Sequence, residues 1–169
     1  MLFRSGQGWS GVAIVNGWAV TMEQLGNEEC ISCYALEDGK LQWRHQYVQR
    51  HEDTAGMGKP GPRATPTIAD GKVYAQGAAG KVVCLEGSTG KLIWEQDVCD
   101  LLKIERVARK TLDGYDYFVE SSPLTWGRAG SPLVLDDVVI VPGGGPTGGP
   151  FQTLLALDKE TGEIGRAHV

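Results

Sequence analysis

Residue types that could carry chemistry are present in this sequence, but few stand at a spacing that the chemistry requires. Cys30 and Cys33 form a CxxC pair on a predicted strand, where an odd separation sends the side chains to opposite faces and disfavours metal ligation or redox pairing. Gly143, Gly145 and Gly148 have the spacing of a dinucleotide-binding loop, yet the FQTLLALD that follows predicts a strand in place of the required helix. We therefore expect neither a redox pair nor a nucleotide loop.

Nucleophilic catalysis also lacks a motif. The chain contains no GxSxG, Walker or HExxH sequence, and these are arrangements that position a nucleophile, a phosphate or a zinc ion. His45 and His51 have no second histidine or cysteine at metal-binding spacing, so we expect structural or surface roles for both. The sequence predicts no catalytic residue and no metal site.

Polar side chains in long predicted loops are the candidates for binding a ligand or a partner protein, because binding groups concentrate in loops on a rigid scaffold. For each of them taken singly, the alternative is an ordinary solvated loop charge. The candidates are Glu23, Arg50, His51, Glu52, Asp53, Arg63, Gln76 and Arg128.

Two of these candidates, Arg63 and Arg128, each precede the first strand of a repeated unit, in GPRATPT and WGRAGSP. If those strands are innermost in a ring-shaped fold, both guanidinium groups could line its axial channel. There they could bind a carboxylate or a phosphate in a bidentate manner. A structural salt bridge to a neighbouring unit is the alternative.

Composition excludes several classes of protein. Of 169 residues, 41% are hydrophobic and 22% are charged, the net charge is -5, and the basic residues are scattered, so a nucleic-acid partner is not expected. No stretch approaches the roughly 20 apolar residues of a transmembrane segment. The N-terminal stretch does not have the pattern of a signal peptide, so an export signal of the parent protein would lie upstream. Four cysteines leave the redox compartment open.

Short strands and tight turns are the elements that must position the candidate side chains. The 24 glycines lie between β-branched runs such as Val12 to Val15, a pattern typical of many short strands. Asn16-Gly17 and Asp70-Gly71 separate apolar runs and supply the positive φ angles of a two-residue hairpin turn. Asp136-Asp137 stands in the same register and is assigned the same role.

One turn motif occurs three times, as YALEDGKLQW (34–43), CLEGSTGKLIW (84–94) and ALDKETGEI (156–164). Each copy has a small or apolar residue, a leucine, an acidic residue, a turn and a glycine, and the first two end in Trp43 and Trp94. The glycines Gly39, Gly90 and Gly162 are 51 and 72 residues apart. Against roughly 40 to 50 residues per blade in common propellers, this repetition indicates one blade per copy, with an insertion in the second interval. The alternative is an all-β sandwich with both tryptophans in its core, which would not repeat a turn motif.

We predict an all-β fold, a β-propeller fragment of about three four-stranded antiparallel blades at residues 9–48, 62–98 and 126–163. Between the last two lies an insertion, residues 99–125, where LLKIERVARKTL (101–112) has apolar residues near helical spacing and predicts one short amphipathic helix. We interpret 1–163 as a partial propeller and 164–169 as a non-native tail, because the motif requires tryptophan where Arg166 stands. Closed rings have roughly four to eight blades, so the remaining blades of a parent propeller are expected partners.

The segment EGSTGKLIW resembles the tryptophan-docking repeat of the quinoprotein-like (PQQ-like) β-propeller family, which includes pyrroloquinoline-quinone (PQQ) dehydrogenases and BamB-like assembly lipoproteins. The resemblance covers nearly the whole chain. It implies that Trp43 packs on Gly90 and Trp94 on Gly162, each on the glycine turn of the next blade. Because a tryptophan buries a large area, these contacts would dominate the cohesion of the blades.

The resemblance implies a non-catalytic binding or assembly scaffold, BamB-like, in the periplasm, in the cell envelope or secreted. It would hold a protein partner or a small ligand on its loop-rich face, without a cofactor. The alternative is a fragment of a PQQ-dependent alcohol or glucose dehydrogenase with PQQ and calcium on the axis. Many such enzymes carry adjacent cysteines, whereas those of this chain are separated. A third possibility is a sensor domain fused to another module, and fold analogy does not choose among the three.

Overall fold

Antiparallel sheets whose strands pair in chain order account for most of the structure. The computed structural model describes residues 6–52, 60–120, 126–144 and 153–164. The first blade has the strand order β1-β2-β3-β4. Its strands are β1, Val12–Val15; β2, Trp18–Leu25; β3, Glu28–Ala35; and β4, Leu41–Val48.

The second blade has the same order, with β5, Thr67–Ala69; β6, Lys72–Gln76; β7, Lys81–Glu86; and β8, Leu92–Asp97. The insertion follows as helix α1, Val98–Leu101, and a hairpin of β9, Arg106–Leu112, and β10, Tyr115–Glu120. The third blade contains β11, Leu133–Leu135; β12, Val138–Pro142; and β13, Leu154–Asp158. A bridge from Leu157 to Ile164 lies where its fourth strand would begin. The predicted all-β propeller fragment is confirmed.

Two-residue turns join the first two strands of every blade, as the sequence predicts. Asn16, Asp70 and Asp136 have φ angles of 46°, 50° and 48°, and strand pairing continues up to each turn. Asparagine and aspartate tolerate this left-handed region better than other residues with a side chain. The third turn therefore forms at Asp136-Asp137 without a glycine.

The three motif turns have the same length, which corrects the alignment made from sequence. The amides of Ala35, Glu86 and Asp158 each donate to the carbonyl five residues later, so these three residues are equivalent. The acidic residue of the second and third copies is therefore replaced by alanine in the first. Matching Glu37 with Glu86 was wrong by two residues, because the glycine and not the acidic residue sets the register.

The inserted segment differs from its prediction. A helix is present, but it is the single turn α1, whose N-cap Asp97 accepts a hydrogen bond from the Cys99 amide. The predicted amphipathic helix at 101–112 is wrong, because most of that stretch forms β9. Asp113 and Gly114, with φ of 51° and 84°, turn the chain into β10. The Asp-Gly pair was the signal that the helical interpretation overlooked.

The hydrophobic core lies between blades, where each blade packs its face on the next. The cluster between the first and second blades contains Val20, Met22, Ile31, Cys33, Trp43, Val73, Ala75, Val83 and Leu85. The cluster between the second and third contains Tyr74, Val82, Cys84, Trp94, Val98, Val139, Val141, Leu155 and Leu157. Burial of these surfaces is the main force that holds consecutive blades together.

Each motif tryptophan contacts the glycine turn of the following blade. Trp43 Nε1 donates to the Gly87 carbonyl and Trp94 Nε1 to the Lys159 carbonyl, both at 3.0 Å. A Cβ atom at Gly162 would lie 2.6 Å from Cε3 of Trp94, and one at Gly90 would likewise overlap the Trp43 ring. A side chain at either glycine is therefore incompatible with the contact.

We expect Trp43→Ala and Trp94→Ala each to lower the free energy of unfolding by about 3 to 5 kcal/mol, because each removes a buried indole and leaves a cavity. Urea denaturation followed by circular dichroism measures the change. Trp9→Ala is the matched control, since Trp9 is 60% exposed and its loss should cost less than about 0.5 kcal/mol. Equal losses at all three positions would contradict the docking role.

Candidate functional site

The inserted hairpin (residues 106–120) connects the first two blades on the loop-rich face, the face that carries the β2–β3 turn and the segment after β8. At its base, Nη2 of Arg106 donates to both carboxylate oxygens of Asp97, at 2.8 and 2.7 Å. Near its turn, the Tyr115 ring lies against the Arg50 guanidinium, with Cζ 4.2 Å from the ring centroid. A two-stranded hairpin is marginally stable by itself, so these contacts to both blades hold it in place.

A polar cleft lies between the hairpin and the two blades. Its volume is about 550 Å³, and its lining includes Gln49, Lys81, Asp97, Arg109 and Tyr117. This volume is within the range of small-ligand and peptide sites. We call it the hairpin cleft.

The charged groups of the hairpin cleft are paired at different depths. Arg106 and Asp97 form a partly buried pair at 2.7 Å. Lys81 and Glu95 are 3.3 Å apart with 22% and 45% of their side chains exposed, and the Arg109–Asp116 pair is more exposed still. Exposed ion pairs contribute little net energy, so Lys81 and Arg109 can exchange their partners at small cost.

Two uncharged residues of the hairpin cleft also bear on binding, one through an unsatisfied polar atom and one through its exposure. The side-chain oxygen Oε1 of Gln49 is buried and finds no hydrogen-bond partner within the described residues. Beside it, Val48 is 79% exposed. A buried acceptor without a donor costs free energy. A ligand that supplies an N–H group to this oxygen would therefore be favoured, once rotation about the broad terminal torsion of the side chain turns the oxygen toward the cleft.

Arg50, one of the predicted binding residues, lines the hairpin cleft but is itself 6% exposed. Its Nε donates to Glu52, and its Nη1 donates to the Gly26 carbonyl at 2.6 Å. The alternative for Arg50 and Glu52, an ordinary solvated loop charge, does not apply, because the two form a buried pair that joins the chain after β4 to the β2–β3 turn.

Glu23 was predicted in a loop, but it lies inside β2 and is 1% exposed. Its carboxylate accepts hydrogen bonds from Ser32 Oγ at 2.5 Å, Tyr34 Oη at 2.8 Å and Arg44 Nη2 at 2.9 Å. Burial acts to raise the pKa of Glu23, yet these bonds and one from the Gly6 amide hold its pKa below the ordinary value. Glu23 is therefore an ionised structural centre.

The Glu23 cluster makes the outer face of the first blade unlike the equivalent faces of the other two. On the second and third blades these positions are apolar and packed: Val73, Ala75, Val83 and Leu85, then Val139, Val141, Leu155 and Leu157. On the first blade, the positions equivalent to Val83 and Leu85 are Ser32 and Tyr34, both bonded to Glu23 or its partner Arg44. This face of the first blade is polar, whereas the equivalent faces of the second and third blades are apolar.

Gln76 and Arg128 join the second blade to the third. Gln76 Nε2 donates to the Pro142 carbonyl at 2.9 Å, and the Arg128 amide donates to the Ala78 carbonyl of the second blade at 2.9 Å. Within the third blade, Arg128 Nε donates to the Gly143 carbonyl at 3.1 Å. Both residues are buried, with exposures of 0% and 2%. The prediction that Arg128 lines an open axial channel is therefore wrong, since its guanidinium is enclosed between blades.

The remaining candidates do not gather with the others. Arg63 is half-buried, and its Nε donates to the Trp126 carbonyl at 2.5 Å. His51 is half-buried, and its carbonyl accepts a hydrogen bond from the Gly61 amide. Asp53, and most of the predicted loop from Gly143 to Pro150, lie outside the described residues, as does 165–169 of the predicted tail. Of the predicted set, only Arg50 reaches the hairpin cleft.

Glu29 is a buried carboxylate that sequence reasoning missed. It is 0% exposed, and it accepts hydrogen bonds from the Ala78 amide of the second blade and from Tyr47 Oη, both at 3.1 Å. Burial raises the pKa of Glu29 to about 7, despite these two bonds, which lower it. Burial and the nearby Glu29 also raise the pKa of Tyr47. An alternating strand pattern would have placed one of Glu28 and Glu29 inside, but not at a blade junction.

Cysteines and metal ligands add no site in the described part of the chain. Cys30, Cys33, Cys84 and Cys99 are all buried, and none of them forms a disulfide. No three histidine, cysteine, aspartate or glutamate side chains converge as metal ligands among the residues placed by the structure. Within the same residues, no helix is long and apolar enough to cross a membrane.

Successive antiparallel blades, each packed face to face on the next, define the chain as part of a β-propeller. A family model described as outer membrane protein assembly factor BamB matches residues 27–165. The chain belongs to that family of PQQ-like repeat proteins. A search of curated protein sequences gives no match.

Solved structures agree on the fold. The chain is similar to the quinohemoprotein alcohol dehydrogenase of Comamonas testosteroni, with 19% identity, a TM-score of 0.56 and coverage of 95% of this chain and 20% of that one. It is also similar to a europium-containing methanol dehydrogenase, with 20% identity, a TM-score of 0.58 and coverage of 94% of this chain and 24% of that one. BamB from Moraxella catarrhalis aligns at 21% identity and a TM-score of 0.42, over 90% of this chain and 46% of that one. At such identities the two dehydrogenase structures show the fold alone, and the chain spans a quarter or less of each. The TM-score of the BamB alignment is too low to support a conclusion.

We expect the stability of the wild type relative to Glu29→Gln to fall as pH rises from about 4.5 to about 7. Below this window both the folded and the unfolded chain hold the proton. Within it the unfolded chain loses the proton first, so ionisation opposes folding. The fall is at most about 3 to 4 kcal/mol, since each pKa unit corresponds to about 1.4 kcal/mol. Urea denaturation of both proteins at several pH values measures it, and parallel pH curves would contradict the raised pKa.

We expect Tyr115→Ala to speed amide hydrogen exchange in residues 106–117 by about tenfold, because a cation–π contact contributes about 1 to 2 kcal/mol. Tyr115→Phe keeps the ring against Arg50 and should exchange at the wild-type rate. Hydrogen exchange with mass spectrometry measures both. Identical protection in Tyr115→Ala would mean that Arg50 does not anchor the hairpin.

Proposed function

We propose that this chain is part of a non-catalytic propeller scaffold of the cell envelope, BamB-like, which holds a protein partner on its loop-rich face. The observation that carries the proposal is the hairpin cleft, an accessible polar cleft built by an insertion onto two otherwise regular blades. Insertions on one face of a repeat scaffold are characteristic of binding faces. The envelope location is inferred from membership in the family described as an outer membrane protein assembly factor.

The predicted binding residues divide into two groups under this proposal. Arg50 supports the hairpin cleft from beneath, through Tyr115. Gln76 and Arg128 hold the second and third blades in register, and Glu23 organises the outer face of the first. Binding is then assigned to the cleft lining, and these buried groups fix the blades that carry it. Arg63 and His51 remain candidates for contacts beside the partner.

The second candidate is a fragment of a PQQ-dependent dehydrogenase, favoured by the dehydrogenase structures that share the fold. Such an enzyme would need oxygen ligands for calcium. The described residues contain no convergent group of this kind, and the buried carboxylates of Glu23 and Glu29 are occupied by protein donors. The residues present do not fit the cofactor, and we derive no step through it.

Site-specific photo-crosslinking in cells tests the scaffold proposal. A photoreactive amino acid at Val48, 79% exposed in the cleft lining, should give one crosslinked product, identified by mass spectrometry as a component of outer-membrane protein assembly. Lys40, whose side chain is 78% exposed on a motif turn of the opposite face, is the control and should give none. Equal products from both positions, or none from Val48, would overturn the assignment of the face.

Equilibrium dialysis separates the two candidates. The purified chain is dialysed against PQQ with and without calcium, and the bound quinone is read by its absorbance. We expect no saturable binding. Calcium-dependent binding at a stoichiometry near one would instead establish the dehydrogenase reading.

A further inference from the structure

The hairpin cleft has a chemical preference that goes beyond binding some partner. We infer that it binds an extended, acidic protein segment, whose carboxylates pair with Lys81 and Arg109 and whose backbone donates a hydrogen bond to Gln49. The inference rests on the proposed function and deepens it, because it names the chemistry of the partner at the same site.

The first argument is the availability of cations. Arg106 and Arg50 are committed to Asp97 and Glu52, in pairs that are more buried than the others. Lys81 and Arg109 are held by exposed carboxylates, with 45% of the Glu95 and 36% of the Asp116 side chain accessible. An incoming carboxylate can replace either one, because the displaced acid is hydrated again in solution. The cleft therefore offers two exchangeable positive charges.

The second argument is the unsatisfied acceptor. Gln49 Oε1 is buried in the cleft lining and has no hydrogen-bond donor among the described residues. An inorganic phosphate or a simple carboxylate has no N–H group to give it. A peptide supplies a side-chain carboxylate and backbone N–H groups within the same molecule. The combination favours a peptide over a small anion.

The third argument concerns the shape of the segment. Among the described strands, β9 and β10 hydrogen-bond only with each other, so the hairpin presents strand edges that an extended chain can pair with. Val48, 79% exposed in the cleft lining, offers an apolar contact to a side chain of such a segment. An extended segment with alternating acidic and apolar side chains satisfies all of these groups.

Fluorescence anisotropy with a defined probe tests the inference. The probe is a fluorescein-labelled peptide of about ten residues that alternates aspartate and valine, and the comparison peptide alternates lysine and valine. We expect saturable binding of the first only. The double variant Lys81→Gln/Arg109→Gln should weaken it by at least about tenfold, and raising salt from about 50 to about 300 mM should weaken it further.

Matched variants keep the result interpretable. Lys81→Arg/Arg109→Lys retains both charges and should bind like the wild type. Lys40→Gln/Lys91→Gln removes two exposed lysines on motif turns of the opposite face and should also bind normally. Thermal melts check that every variant folds. Wild-type affinity in the Lys81→Gln/Arg109→Gln protein, or equal affinity for both peptides, overturns the inference.

The two proposals fail in different ways. If the acidic peptide does not bind but crosslinking at Val48 still captures an assembly component, the scaffold stands and the acidic preference is wrong. If Val48 captures nothing and the peptide does not bind, both are wrong. If the peptide binds in a Lys81- and Arg109-dependent manner without crosslinking to an assembly component, the cleft chemistry stands and the cellular role is wrong.

Discussion

An indole ring packed on a glycine turn is the contact on which the arrangement of the blades depends. Trp43 and Trp94 stand at the same place in successive outer strands, and each donates its indole N–H to a carbonyl of the next motif turn. The ring needs a turn without a Cβ, and the turn needs a residue that accepts positive φ. Glycine meets both requirements at once. The same short motif therefore supplies the contact surface on one blade and the tryptophan that reaches the next.

Polar groups add directional constraints to this apolar packing. The Glu29 carboxylate accepts a hydrogen bond from the Ala78 amide across the first junction, and the Gln76 side chain and the Arg128 amide donate to carbonyls across the second. A buried polar group is costly unless it is bonded, so a rotation of one blade against another would break these bonds without compensation from water. Hydrophobic burial thus brings the blades together, and the buried bonds select one relative orientation.

Because the blades are otherwise regular, the places where the chain departs from the repeat are informative. The first blade presents a bonded Glu23–Arg44 cluster where the next two present aliphatic side chains. The inserted hairpin is likewise an addition that no core requires, and its contacts to Asp97 and Arg50 tie it across two blades. Because these contacts leave a cleft with exchangeable cations and an unsatisfied amide oxygen, the departures from the repeat carry the functional argument.

The sequence by itself determined the features that depend on neighbours along the chain. Asn16-Gly17, Asp70-Gly71 and Asp136-Asp137 form their turns because local φ preferences decide them, and the repeated glycine turn indicated the blades. The helix predicted at 101–112 failed because near-helical spacing competes with the Asp113-Gly114 turn. Only the tertiary structure decided which charges are buried: Glu23, Glu29, Arg50 and Arg128 lie enclosed, whereas Lys81 and Arg109 pair with exposed carboxylates. The burial and the pKa of a side chain depend on residues brought close from distant parts of the chain. A local sequence pattern does not show which of these residues will meet.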